Sequence, residues 1–167
     1  MSVGRVFWAA GFAAIALSLS ACATQTSAPA DVRQVVSTTS FGMCAGYCST
    51  RLEISEGRAV LVRNGHGRGV PDLPEQRFES SLSAAEWAEI SALAAKTDLA
   101  ALPETIGCPD CADGGAESIS VAGAEGGGRT VTFDYNASVA QAQPLLDRVR
   151  ALRQRLTPQD GSSEITR

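Results

Sequence analysis

Five cysteines carry most of the chemistry open to this chain of 167 residues. Cys22 stands alone behind a short apolar segment. The other four come as Cys44-Ala-Gly-Tyr-Cys48 and Cys108-Pro-Asp-Cys111. Thiols at such spacings can do three things. Oxidised, they form disulfides, in any of three connectivities. Reduced, four thiolates can surround zinc tetrahedrally; the Cys-x2-Cys spacing suits that, the Cys-x3-Cys spacing less so. A thiol whose pKa is lowered can exchange disulfides with a substrate.

The choice turns on compartment, and the segment ending at Cys22 sets it. Met1 to Arg5 forms a short basic head, and Val6 to Leu19 is apolar. Leu19-Ser20-Ala21-Cys22 closes the run with small residues, the order of a secretory signal. The run is shorter than the ~20 apolar residues that span a bilayer, and Ala23 to Ala30 continue it as small polar residues with no stop-transfer pattern. Cleavage after Ala21 would also suit a general secretory signal. The four residues resemble the lipobox of bacterial lipoproteins, [LVI]-[AST]-[GA]-C, at every position. The resemblance implies cleavage before Cys22, a diacylglycerol thioether on its sulfur and an N-acyl chain such as palmitate. One acyl chain binds a membrane marginally and several bind it stably. Ala23, rather than an aspartate, after the cysteine implies an outer-membrane address facing the periplasm if the host is Gram-negative.

Export takes Cys22 out of the count and leaves an even four in an oxidising compartment, where disulfides are the first expectation. Local pairing, Cys44 with Cys48 and Cys108 with Cys111, pins two loops. Cross-pairing closes loops of about 60 residues and stabilises by ~4 kcal/mol in the chain-entropy model. Cys108-Pro-Asp-Cys111 resembles the C-P-x-C of thioredoxin-like oxidoreductases, which set the first cysteine at a helix N-terminus. Here Ala112-Asp-Gly-Gly-Ala116 breaks a helix, and Leu102 to Gly107 is not a clear strand. The expected role is therefore a non-catalytic binding or structural module of the envelope. The alternative is a thiol-redox lipoprotein, or one that binds a metal through its four cysteines.

The remaining polar residues add no catalytic motif. His66, the single histidine, lies in the glycine-rich Asn64-Gly-His66-Gly-Arg-Gly69 and reads as a solvated loop residue. That stretch lacks the G-K-[ST] ending of a P-loop, and no G-x-S-x-G nucleophile elbow occurs. Asp110, Asp113 and Glu117 flank Gly114-Gly115 without an EF-hand pattern and read as a solvated acidic turn. Asn136-Ala-Ser138 matches a glycosylation sequon but carries no weight in a bacterial protein. The formal net charge is −4, and losing Arg5 with the signal makes it one more negative, which argues against nucleic acid. No polybasic run follows Cys22 to add electrostatic membrane binding. The expected partners are the membrane, through lipidated Cys22, and an unidentified envelope protein or ligand; no cofactor is implied.

These residues must be positioned by one domain. Residues 1–21 form the signal peptide, 22–31 a flexible tether, 32–156 the domain, and 157–167 a disordered tail rich in Pro, Gly and Ser. Val32 to Thr39 is β-branched and predicts a strand; Phe41 to Ser49 predicts a loop. Leu52 and Ile54, then Val60 and Val62, alternate about Glu56-Gly57 and predict a hairpin. Residues 64–74 predict a turn-rich loop, and Gln76 to Leu82 a strand. Ser83-Ala-Ala-Glu86 is a capping box, with Leu82 and Trp87 at its staple positions; Trp87, Ile90, Leu93 and Ala94 continue a helix to Lys96. Thr97 or Asp98 caps a short turn that Pro103 stops. Ser118 to Ala122 and Arg129 to Tyr135 predict strands, with Val131, Phe133 and Tyr135 on one face. Leu145, Val149, Leu152 and Leu156 form a helical stripe. Arg148, Arg150, Arg153 and Arg155 lie off it, as a wet face that could alternatively bind anions. The pattern predicts an α+β domain: an antiparallel sheet of about five or six strands with two main helices packed on one face.

The run Phe41-Gly-Met-Cys44-Ala-Gly46-Tyr-Cys48, a strand, a Glu-Gly turn and a second strand resemble an uncharacterised domain family of bacterial lipoproteins. That family shows C-x-G-x-C before a strand of the type Y-x-[LV]-x-I, then a helix opened by S-x-x-E and a closing helix. Leu52-Glu-Ile54 fits the strand; Ser49-Thr50-Arg51 replaces the usual Pro-x-Tyr. The likeness covers about Ser40 to Leu156 and implies no activity. It implies that Cys44 and Cys48 act as a unit, hence local pairing.

Overall fold

The computed structural model describes residues 31–66 and 73–158. The lipobox, the signal segment, most of the tether, residues 67–69 of the glycine-rich loop and most of the tail lie outside the described residues. The described residues fold as seven strands and two α-helices, an α+β domain. In order these are β1 (Val32–Ser40), β2 (Gly46–Ser55), β3 (Arg58–His66), β4 (Gln76–Ser81), α1 (Ala84–Lys96), β5 (Thr105–Ile106), β6 (Ala116–Gly123), β7 (Thr130–Asp134) and α2 (Gln143–Leu156).

All strands join one sheet in the order β4-β3-β2-β1-β6-β7-β5. Every pairing is antiparallel except β5 with β7, which is parallel. The sheet is thus mixed and larger than five or six strands. The added strand, Thr105–Ile106, is two residues long at the edge, too short to leave a period-2 pattern. β3 runs on through Asn64-Gly65-His66, with Gly46 opposite His66 and Tyr47 opposite Gly65. The expected loop there is therefore strand as far as His66. β2 likewise begins at Gly46, so Cys48 is a buried strand residue and not part of a loop.

Side chains of register partners project to the same face of a sheet. Val35 pairs with Ile54 and Val121, Ser37 with Leu52 and Ile119, and Thr39 with Thr50 and Glu117. Leu61 stands beside Leu52 and Phe78, and Val131 and Phe133 stand beside Ile119 and Glu117. Val35, Leu52, Ile54, Leu61, Ile119, Val131 and Phe133 are all 0% exposed. Ile90 and Ala94 of α1, and Leu145, Leu146, Val149 and Leu152 of α2, belong to the same buried cluster. The helical stripe read from the sequence is therefore the buried one, with Leu146 added. Tyr135 departs from the expected face: it lies beyond the end of β7 and is exposed.

Local signals explain the connections. Gly57 turns the β2–β3 hairpin at φ +73°, where an L side chain would be strained. The capping box is complete. The Glu86 amide donates to Ser83 Oγ, and the Ser83 amide donates to the Glu86 carboxylate. Asp98 accepts from the amides of Ala100 and Ala101 and opens the short 3-10 turn at Leu99–Ala101. Among the described residues no helix is long and apolar enough to cross a membrane.

Candidate functional site

Chain direction decides which loops meet. β1, β3 and β7 finish, and β2 and β6 start, at one end of the sheet; β5, parallel to β7, finishes there too. Both cysteine motifs lie at that end. Cys44 is bonded to Cys48 and Cys108 to Cys111, with Cα separations of 5.6 and 5.4 Å, within the usual range for a disulfide. The local connectivity therefore holds.

The two loops touch. The Gly42 amide donates to Asp110 Oδ1 at 3.3 Å, and the Cys108 amide donates to Asp134 Oδ1 at 3.1 Å. A Cβ at Gly42 would stand 2.6 Å from Asp110 Oδ2, so any larger residue there would have to push the Asp110 carboxylate aside. Phe41 meets Tyr135 edge to face, ring centroids 4.8 Å apart, a favoured aromatic geometry. On the neighbouring strands Arg63 lies over the Tyr47 ring at 4.7 Å.

The Cys108–Cys111 segment has no helix to activate a thiol. Cys111–Asp113 is a single 3-10 turn, and Asp110, Ala112 and Asp113 take positive φ. This lacks the dipole and amide array that lower a thiol pKa at a helix N-terminus. A zinc site built from all four cysteines needs their sulfurs to converge; here each sulfur is bonded within its own loop. The geometry thus favours neither the redox nor the metal alternative. His66 ends β3 opposite Gly46 instead of sitting in a loop.

The expected acidic turn is corrected at Glu117. Asp110 and Asp113 are exposed, but Glu117 is turned onto the core face and its side chain is 0% exposed. It belongs with two arginines of α2. Arg150 Nη2 and Nε donate to Glu117 Oε2 at 2.8 and 3.0 Å, and Arg153 Nη1 donates to Oε1 at 3.0 Å. The Asn136 amide adds a contact at 3.4 Å. Arg150 also donates to the Ala137 carbonyl at 2.9 Å, and Arg153 Nη2 donates to the buried Ser37 hydroxyl. A buried carboxylate is tolerable only when paired and hydrogen-bonded in this way.

The four arginines of α2 therefore divide. Arg148 and Arg155 reach across to α1, joining Glu89 and Glu86 at 2.9 and 2.8 Å, and Arg155 is the exposed one of the four. Arg150 and Arg153 reach Glu117 on the sheet instead. The sequence carried a signal for this. Glu117 alternates with Ile119 and Val121, at an inward position of a strand. Arg150 and Arg153 follow the buried Leu146 by four and seven residues, along the flank of its helical stripe.

Beside the clamp lies a cavity of about 410 Å³ lined by Tyr135, Asn136, Arg150, Arg153, Gln154 and Thr157. Tyr135, Asn136 and Gln154 are exposed at its mouth. The disulfide loops, the Phe41–Tyr135 pair and this arginine-walled cavity thus share one end of the domain.

No family model, curated protein or solved structure matches the chain, so the likeness to the lipoprotein domain family rests on its residues alone.

Proposed function

We propose that the protein is a lipid-anchored lipoprotein of the bacterial cell envelope, attached through Cys22, whose single domain is a non-catalytic binding or structural module. In a Gram-negative host its place is the outer membrane, facing the periplasm. The observation that carries this reading is the lipobox Leu19-Ser20-Ala21-Cys22 standing a short way before β1.

The topology supports it. β1 starts at the end of the sheet opposite the two disulfides, so the tether would join the domain at the end away from them. A strand rises about 3.3 Å per residue, so nine residues of β1 set the two ends roughly 30 Å apart. The disulfides support it as well, since such bonds persist in oxidising compartments and are rare in the cytosol.

The test is fractionation of cells expressing the full chain and its Cys22→Ala variant. The wild type is expected with the membranes, carrying a mass increment of acyl chains on its N-terminal peptide. The variant is expected in the soluble fraction at unchanged thermal stability. A Cys22→Ala protein that stays with the membranes refutes the anchor.

A further inference from the structure

We infer that the cavity between the β7 end and the last turns of α2 binds a small organic anion, with its carboxylate or phosphate on the arginine wall and its body on Tyr135. This goes beyond the anchor and does not depend on it. The charge count comes first. Two guanidinium groups, Arg150 and Arg153, face one carboxylate, Glu117, which leaves one positive charge unmatched in a largely desolvated wall. Their side chains are 19% and 10% exposed, so solvent screens that charge weakly.

The hydrogen-bond count agrees. Arg153 uses Nη1 on Glu117 and Nη2 on Ser37, but its Nε–H is buried and meets no acceptor. An unmet buried donor beside a cavity is costly, and a ligand oxyanion would supply what it lacks. The N–H is covered, so the oxyanion reaches it by displacing a wall side chain. Gln154 is the wall group we assign to move: it lines the same cavity, is exposed, and has no side-chain hydrogen bond among the described residues.

Neighbouring acids do not compete. Asp110 and Asp134 turn to the amides of Gly42 and Cys108. The shape also fits: about 410 Å³ lies within the ~300–1,000 Å³ of small-molecule sites. Tyr135, steadied by Phe41, gives a ring face for the ligand body, and an arginine fork recognises planar or tetrahedral oxyanions.

The test is titration of the full chain in non-ionic detergent with benzoate and with phenyl phosphate, against chloride at equal ionic strength, followed by NMR of the arginine Nε–H resonances. Saturable movement of the Arg153 resonance is expected with at least one probe, and the tighter probe assigns the headgroup. Gln154→Glu adds a negative charge at the mouth without touching the buried clamp and is expected to weaken binding at least tenfold. Arg150→Gln matches Arg153 to Glu117 one to one and is expected to do the same. No saturable shift beyond chloride with either probe overturns the site. So does unchanged affinity in Gln154→Glu.

Discussion

Replacing Glu117 by glutamine keeps the side chain's shape and one carbonyl acceptor but deletes the single negative charge between Arg150 and Arg153. The two guanidinium groups are then left with no counter-charge in a wall where the glutamate itself is 0% exposed. Breaking a buried pair from one side costs ~3–5 kcal/mol, because the surviving charge stays desolvated. The same change in an exposed pair costs ~0–1 kcal/mol. Burial decides between these figures, and the larger one applies. Against a typical total of ~5–15 kcal/mol, such a loss removes a large fraction of the domain's stability. At roughly 3–5 °C per kcal/mol for a chain of this size, Tm falls by roughly 10–20 °C. Urea denaturation is the cleaner assay: the midpoint drops while the slope with denaturant stays constant. A partner variant sharpens the test. Glu117→Leu with Arg153→Met replaces the inner charges by apolar groups and leaves Arg150, the more exposed of the two, to turn outward. It is expected to recover at least half of the stability lost in Glu117→Leu alone. A Glu117→Gln cost below ~1 kcal/mol would refute the reasoning, as would a double variant no more stable than Glu117→Leu.

Two further predictions follow from the same contacts. The Arg155 guanidinium first, then the Ser83 amide and hydroxyl, hold the Glu86 carboxyl at about 2 against an ordinary 4.5. The folded state therefore binds its proton less readily than the unfolded state. This stabilisation is fully present above pH 4.5 and is lost as pH falls toward 2. Melting curves across that window should show a steeper loss for the wild type than for Glu86→Gln; equal slopes would count against the capping network. At the disulfide end, Cys44→Ser with Cys48→Ser opens a loop so short that the chain-entropy cost is only ~2 kcal/mol, against the ~4 kcal/mol of a cross-paired bond. Non-reducing peptide mapping checks the connectivity directly, and a linked peptide holding Cys44 and Cys108 would contradict it.

Much of the fold was legible because its signals are local. The Ser83–Glu86 box, the Glu56-Gly57 turn and the Leu145, Val149, Leu152 stripe each act within one or two turns of chain, and each marked its element. Two misses came from the opposite situation. Thr105–Ile106 is a strand only because β7 lies beside it, and two residues cannot show a period. Asn64-Gly65-His66 carries turn-forming residues, yet ten residues of β2 hold its partner strand in register, and pairing overrides local preference.

At the candidate site the division is sharper. The sequence by itself carries the whole basis of the proposed address, Leu19-Ser20-Ala21-Cys22, and the even set of four cysteines that export would oxidise. It also left Glu117 in an acidic run and Arg150 and Arg153 on a helix surface, as charges normally lie. Only the tertiary structure decided that Glu117 faces inward beneath α2, so that it closes on two arginines 33 and 36 residues further along the chain and leaves a cavity at their side. The physical reason is that side-chain direction in a strand is fixed by pairing register, and register is set by partners distant in sequence.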